Sequence, residues 1–158
     1  MVGDDSLKKV CFIASSGGHY EQLMMLKDLM NKYDSFIVTE KTEYSSYIQG
    51  RKTYLIKQVN RKEILFIYNM VVNFFKSLWI FLKERPDVVI STGALSVIPM
   101  CIIAKVFRRK IIFIESFAKV TSPTMTGKFI YKFADQFYIQ WEELRSVYKN
   151  AIYKGGIY

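Results

Sequence analysis

Histidine, cysteine and proline are scarce in this 158-residue sequence, with one, two and three residues respectively. The two thiols, Cys11 and Cys101, lie inside apolar runs, where cysteine behaves as a small hydrophobe. Neither a disulfide framework nor a metal-ligating cluster is therefore expected. The segment from Met1 to Lys9 lacks the apolar core of a signal peptide, which leads us to expect a cytoplasmic protein. Acidic side chains are also in deficit, 14 against 23 basic, giving a formal net charge of +9 and a pI near 9.5. Such charge attracts phosphates of any kind: nucleic acid, anionic lipid head groups or a diphosphate substrate. No RRM, KH or zinc pattern accompanies it, so nucleic acid is not the expected partner.

Apolar residues, by contrast, are abundant. They make up 51% of the chain, with 16% aromatic, enough to offset the ordering entropy of folding. The length suits one domain; residues 1–8 read as a disordered leader and residues 9–158 as that domain. Apolar runs at 9–14, 35–39, 53–57, 87–91, 110–115 and 136–139 read as buried strands. Helical patterns separate them, which predicts an α/β, Rossmann-like, three-layer domain built on a parallel sheet. A tight turn at 15–19 opens a helix running to about residue 31, and further helices are expected over 61–85, 95–107, 125–134 and 141–148. Pro99 implies a start near Ile98 or a kink in the third of these. A polar loop follows the second strand from Glu40 to Ser46.

Residues 64–82, ILFIYNMVVNFFKSLWIFL, approach the length of a spanning helix. Asn69, Asn73, Lys76 and Ser77 nevertheless recur at three- and four-residue spacing as one polar stripe, and the segment occupies the place of a βαβ crossover. A span is not expected. Phe66, Phe74, Phe75, Trp79 and Phe81, flanked by Arg61, Lys62, Lys83 and Arg85, suit contact with an anionic bilayer surface. They equally suit a core helix or a protein–protein face.

Ligands in open α/β sheets gather at the carboxyl ends of the strands. The loops there hold Ser15, Ser16, Gly17, Gly18 and His19 after the first strand, Ser91, Thr92 and Gly93 after the fourth, and Glu115 and Ser116 after the fifth. Paired glycines let backbone approach a ligand, and the amides of the following helix favour a phosphate; a tight strand-to-helix turn also uses glycine without binding anything. His19 at the helix mouth can hydrogen-bond a diphosphate or exchange a proton with a hydroxyl, or simply satisfy backbone. Glu115, after four apolar strand residues, needs a partner such as Lys119 or His19, or a solvent-filled cleft. Glu40 stands about where a dinucleotide fold places its ribose-binding acid, but the third glycine of G-x-G-x-x-G is missing, which argues against a nicotinamide or flavin module.

Three passages, SSGGHYEQLMML (15–26), STGALSVIP (91–99) and IESFAKVTSPTMTGKFIYKFADQFYIQW (114–141), with YKGGIY (153–158), cover nearly all of the chain after Lys8. Together they resemble the anchor-subunit family of the two-chain UDP-GlcNAc transferase that extends dolichol diphosphate-linked GlcNAc. Closer still, they resemble bacterial capsule and exopolysaccharide proteins called β-1,4-galactosyltransferase enhancers. The resemblance implies the amino-terminal, acceptor-side half of a GT-B glycosyltransferase, inactive alone, whose other half is a separate catalytic protein that binds most of the UDP-sugar. The Gly-Gly-His turn is also similar to that of the single-chain GlcNAc transferase of peptidoglycan lipid synthesis, where it belongs to the acceptor site.

Carried over residue by residue, Ser15, Ser16, Gly17 and Gly18 would meet the diphosphate of a polyprenyl-linked sugar acceptor, and Thr92, Gly93 and Ser116 would line the cleft. His19 or Glu115 would be the base of an inverting, metal-independent transfer that uses no cofactor beyond the UDP-sugar donor. Gly156, Ile157 and Tyr158 would dock the partner. The eukaryotic members begin with a transmembrane anchor and this sequence does not, so peripheral attachment to the inner face of the plasma membrane, through Phe66, Phe74, Phe75 and Trp79, is expected. A purely scaffolding enhancer of a partner that is catalytic alone is the alternative function.

Overall fold

The computed structural model describes residues 8–42 and 51–158. Residues 1–7 of the expected leader and 43–46 of the expected polar loop lie outside them. Seven strands form one parallel sheet: β1 (Lys9–Ala14), β2 (Asp34–Glu40), β3 (Thr53–Ile56), β4 (Val88–Gly93), β5 (Lys110–Ile114), β6 (Gln136–Ile139) and β7 (Ile152–Tyr153), in the order β3-β2-β1-β4-β5-β6-β7. Runs such as KVCFIA are buried on both faces, as a central parallel strand must be. Phe12 pairs Ile37 on one side and Ile90 on the other. The chain reverses its direction of winding between β1 and β4, so their carboxyl ends flank the crevice where such sheets hold ligands.

Among the described residues five helices connect the strands: α1 (Gly18–Met24), α2 (Lys27–Met30), α3 (Phe66–Glu84), α4 (Ile98–Val106) and α5 (Met125–Ile130). Tight 3-10 turns occupy Leu95–Val97 and Glu142–Ser146. One face of the sheet packs Cys11, Ile13, Val89, Ile111 and Phe113 against Ile80, Phe81, Met100, Ile103 and Ile130 from α3, α4 and α5. On the other face Phe12, Ile37 and Ile90 pack against Leu23 and Met30 of α1 and α2. Both cysteines are buried and free.

The helix expected through residue 31 is two pieces. The Leu26 amide donates to the Leu23 carbonyl at 3.0 Å, an i→i−3 bond that tightens the chain at Met25–Leu26, and Leu23 and Met30 are both buried. The expected helix at 61–85 begins only at Phe66, because the Asn60 side chain captures the Lys62 amide at 3.1 Å in a local turn. Pro99 sits in the first turn of α4, where a missing amide costs nothing, so there is no kink. The 125–134 helix ends at Ile130, the 141–148 segment is the 3-10 turn, and β7, two residues long, has no counterpart in the expected strands.

In α3 two members of the polar stripe point inward, while Lys76 is exposed and Asn69 half-buried. Asn73 and Ser77 are fully buried, and the Asn73 amide pairs with both backbone groups of Lys57, accepting from its N–H at 2.8 Å and donating to its carbonyl at 2.7 Å. That satisfies the backbone leaving β3, as buried amides require. Glu84 on the same stripe meets Lys9 at 2.8 Å, Lys52 at 2.5 Å and the Tyr54 hydroxyl. Ile67, Val71, Phe75 and Leu82 are consequently left on the outside.

Candidate functional site

The turn after β1 is set by Gly17, whose φ of 70° is a glycine conformation. A β-carbon at Gly17 or Gly18 would meet nothing within 4 Å. Conformation, not crowding, therefore selects Gly17, and the space above the turn is open. Ser15 is buried, its hydroxyl bonded to the Ser16 carbonyl at 3.2 Å. The Ser16 amide and hydroxyl both donate to Glu40 Oε2, at 3.3 and 3.0 Å, while Glu40 Oε1 accepts from the Val59 amide at 3.2 Å. Glu40 thus ties the β1–α1 turn to the loop after β3, and of the expected diphosphate cradle Gly17 and Gly18 are the residues with open space beside them.

His19 and the end of β4 lock each other. Thr92 Oγ1 donates to the His19 carbonyl at 2.7 Å, and His19 Nδ1 lies 2.8 Å from the Thr92 carbonyl. A carbonyl only accepts, so Nδ1 carries the proton of the neutral ring and Nε2 holds the lone pair. The imidazole rests on Gly93, where an added β-carbon would come within 3.1 Å of Cε1, and Gly93 itself has φ of 114°. Thr92 is buried, so it positions His19 and does not line the cleft itself. The next residue, Ala94, adopts φ 82°, ψ 167°, a glycine region that costs an alanine on the order of 1–3 kcal/mol.

Glu115 is not at the cleft surface. It is fully buried: Oε1 accepts from the Ser116 amide at 2.9 Å and Thr124 Oγ1 at 2.8 Å, and Oε2 from the Thr124 amide at 3.1 Å and the Tyr148 hydroxyl at 2.6 Å. A carboxylate enclosed by four donors, with no path to a substrate proton, organises the loop ahead of α5 and does not serve as a base. Its partners are neither Lys119 nor His19. Burial, followed by the Glu115 carboxylate, raises the Tyr148 phenol well above its ordinary range, so the phenol stays a donor. Thr124 also caps α5, accepting from the Gly127 amide at 2.8 Å. Ser116 is likewise buried.

A cleft of about 490 Å³ opens beside His19, walled by Asn60 and Arg61 after β3, Ala94 after β4, and Lys119, Thr124 and Met125 after β5. His19 alone of the expected site residues lines it directly. Arg61 and Lys119, read from sequence as a lipid flank and a partner for Glu115, both face this cleft; the loops at the carboxyl ends of β3 and β5 were the available signal. Among the described residues no group of three His, Cys, Asp or Glu is placed to hold a metal ion.

A second polar chain went unread in the sequence. Gln22 Oε1 accepts from the Phe117 amide at 3.1 Å and from Gln140 Nε2 at 2.9 Å, while Gln140 Oε1 accepts from the Ile157 amide at 3.0 Å. Glutamines within apolar patterns were the signal. This chain brings Gly156, Ile157 and Tyr158 against the β5 and β6 loops, where Tyr158 stacks edge-on to Phe117 at 4.9 Å. Beside them an apolar groove of about 280 Å³ runs between Leu26, Leu29, Ile90, Ile112 and Tyr138. On the opposite side of the sheet, Phe74, Phe75 and Trp79 are exposed on α3 and Phe66 half-exposed. No helix among the described residues is long and apolar enough to cross a membrane.

Comparison with known proteins agrees with this architecture. The model of the family described as "Oligosaccharide biosynthesis protein Alg14 like" matches residues 10–157. The mouse protein named UDP-N-acetylglucosamine transferase subunit ALG14 is 25% identical, the alignment covering 94% of this chain and 82% of that protein. The fission yeast (Schizosaccharomyces pombe) subunit is 37% identical over 44% of this chain and 36% of its own length. Among solved structures, Acinetobacter baumannii MurG superposes with a TM-score of 0.70 at 14% identity, over 86% of this chain and 42% of that one. Methanocaldococcus jannaschii UDP-GlcNAc 2-epimerase, in complex with UDP-GlcNAc and UDP, gives 0.71 at 14% identity, over 94% and 46%. The chain spans less than half the length of these two structures, and at such identity they show the fold alone.

Proposed function

Starting from the fact that the chain belongs to the Alg14-like family of oligosaccharide biosynthesis proteins, we propose that it is the acceptor-side subunit of a two-chain UDP-sugar transferase. Its acceptor is a sugar carried on a polyprenyl diphosphate. In its finer form the reading places that sugar in a capsular or exopolysaccharide repeat unit, which rests on the sequence resemblance. The observation that carries the function is the held imidazole: Thr92 and Gly93 fix the His19 ring so that its lone pair, on Nε2, is the nitrogen left for a ligand in the cleft.

In this reading Nε2 takes the proton of the acceptor hydroxyl as that oxygen bonds to the anomeric carbon of the donor. The bond from that carbon to the UDP oxygen breaks on the opposite face, giving inversion. The partner subunit binds the donor and stabilises the departing diphosphate. The acceptor's own diphosphate enters the cleft beside His19, next to the Gly17–Gly18 turn. The partner docks over Gly156, Ile157 and Tyr158, next to the apolar groove that α1 and α2 leave uncovered, while the outer face of α3 rests on the cytoplasmic leaflet.

Reconstitution tests the proposal. This chain and its candidate partner are assayed alone and mixed, with UDP-sugar and a lipid-linked acceptor. Turnover is expected only on mixing; equal turnover by the partner alone would replace the proposal with a scaffolding role.

A further inference from the structure

The cleft beside His19 carries two cations whose task the proposed chemistry has not used. Arg61 enters from the loop after β3 and Lys119 from the loop after β5. Among the described residues the Arg61 guanidinium meets the Met125 sulfur, at 2.7 Å, a weak acceptor. Neither Arg61 nor Lys119 has a carboxylate within ion-pair distance among the described residues. Among the described residues no acidic side chain lines the cleft. Glu40 and Glu115, at the carboxyl ends of β2 and β5, are buried and turned to the turn and loop amides that shape its walls.

We infer that Arg61 and Lys119 form a clamp for a diphosphate ester, taking the acceptor's two phosphates from opposite walls of the cleft and delivering its sugar to His19. The inference rests on the reading of the acceptor as a lipid-borne diphosphate. Two cations facing one cleft gain more from a diphosphate than from a monophosphate, because each finds a phosphate of its own. Arg61 supplies a planar fork that can take two oxygens and Lys119 a movable point charge.

The surroundings suit the rest of such a molecule. Met125, which touches Arg61, is 63% exposed, and Ile64 and Leu65, three and four residues beyond Arg61, are 102% and 59% exposed. An isoprenoid stem leaving the clamp therefore has apolar contacts that continue into the outer face of α3. The sugar end meets Asn60, Thr124 and Thr126, a polar lining.

The test measures binding by calorimetry to the intact chain and to Arg61→Gln, Lys119→Gln and double variants, each checked by thermal melting. The probes are farnesyl diphosphate, farnesyl monophosphate and UDP. Farnesyl diphosphate should bind more tightly than the monophosphate, each single change should weaken it about tenfold, the scale of a lost charged hydrogen bond, and UDP binding should be indifferent to both. If the double variant holds farnesyl diphosphate as tightly as the unaltered chain, the clamp is overturned while the lipid-diphosphate reading stands. If the substitutions weaken UDP and leave farnesyl diphosphate unchanged, the cations serve the donor and the inference is wrong. If the unaltered chain binds no farnesyl diphosphate, the reading of the acceptor fails and the clamp with it.

Discussion

Replacing Gly127 with alanine probes the buried carboxylate that shapes the cleft. Gly127 lies inside α5, where alanine is ordinarily favoured by about 1 kcal/mol. Here the added β-carbon would overlap Glu115 Oε2 and come within 2.7 Å of the Tyr148 hydroxyl and 2.8 Å of Thr124 Oγ1. These atoms cannot retreat without abandoning each other, since both hydroxyls donate to the carboxylate. Losing one hydrogen bond to a buried charge costs roughly 1.5–3 kcal/mol, and the overpacking adds roughly 1–3 kcal/mol. Set against alanine's helix preference of about 1 kcal/mol, Gly127→Ala should therefore lower stability by roughly 2–5 kcal/mol, a fall in Tm on the order of 10 °C for a domain of this size. Urea and thermal melts of the single variants, and of the pair with Glu115→Ala, provide the assay. In the Glu115→Ala background the second change should cost far less, because the clashing oxygen is gone. A Gly127→Ala protein as stable as its parent, or costs that simply add, would refute the reasoning.

Three further outcomes follow from the same contacts. Gly93→Ala forces an L-residue to φ 114° and pushes on the imidazole; thermal melts should show a loss of roughly 1–3 kcal/mol, and turnover in the reconstituted enzyme should fall at least about tenfold as His19 shifts. Burial alone would raise the Glu84 carboxyl, but hydrogen bonds from Lys52, Lys9 and Tyr54 more than offset it and hold it at about 2, below its ordinary 4.5. Its contribution to stability is thus present above pH 4.5 and lost as pH falls toward 2, so denaturant midpoints should decline through that window, and Glu84→Gln should flatten the decline. Serine at Ile67, Phe75 and Leu82, all exposed on one face of α3, should leave each site's stability within about 0.5 kcal/mol while reducing flotation with anionic vesicles at least about tenfold; unchanged flotation would remove this face from the membrane.

Much of this fold was legible because parallel strands buried on both faces announce themselves as continuous apolar runs. The expected and observed limits of β1 and β6 coincide, at 9–14 and 136–139. What periodicity cannot say is which side of a helix faces in. The stripe of Asn73 and Ser77 was visible, but its burial depends on the unpaired backbone of Lys57, sixteen residues away. Glu115 was weighed as a base in a solvent-filled cleft or as a partner for Lys119 or His19, and its donors instead come from Thr124 and Tyr148, on segments that meet only in the folded chain. Glu40, weighed as a ribose ligand, proved to bind Ser16 and Val59. The place of His19 at the cleft was legible, because a histidine after a Gly-Gly turn at the first strand stands at the carboxyl end of the sheet.

His19→Asn in the reconstituted two-chain enzyme addresses the imidazole most directly. The asparagine amide can still donate to the Thr92 carbonyl, so the turn should hold and the melting temperature should stay near that of the parent, but no basic nitrogen remains at the Nε2 position. Turnover at saturating acceptor is expected to drop by roughly a hundredfold or more, as for loss of a general base. Turnover equal to that of the unsubstituted enzyme would contradict the account.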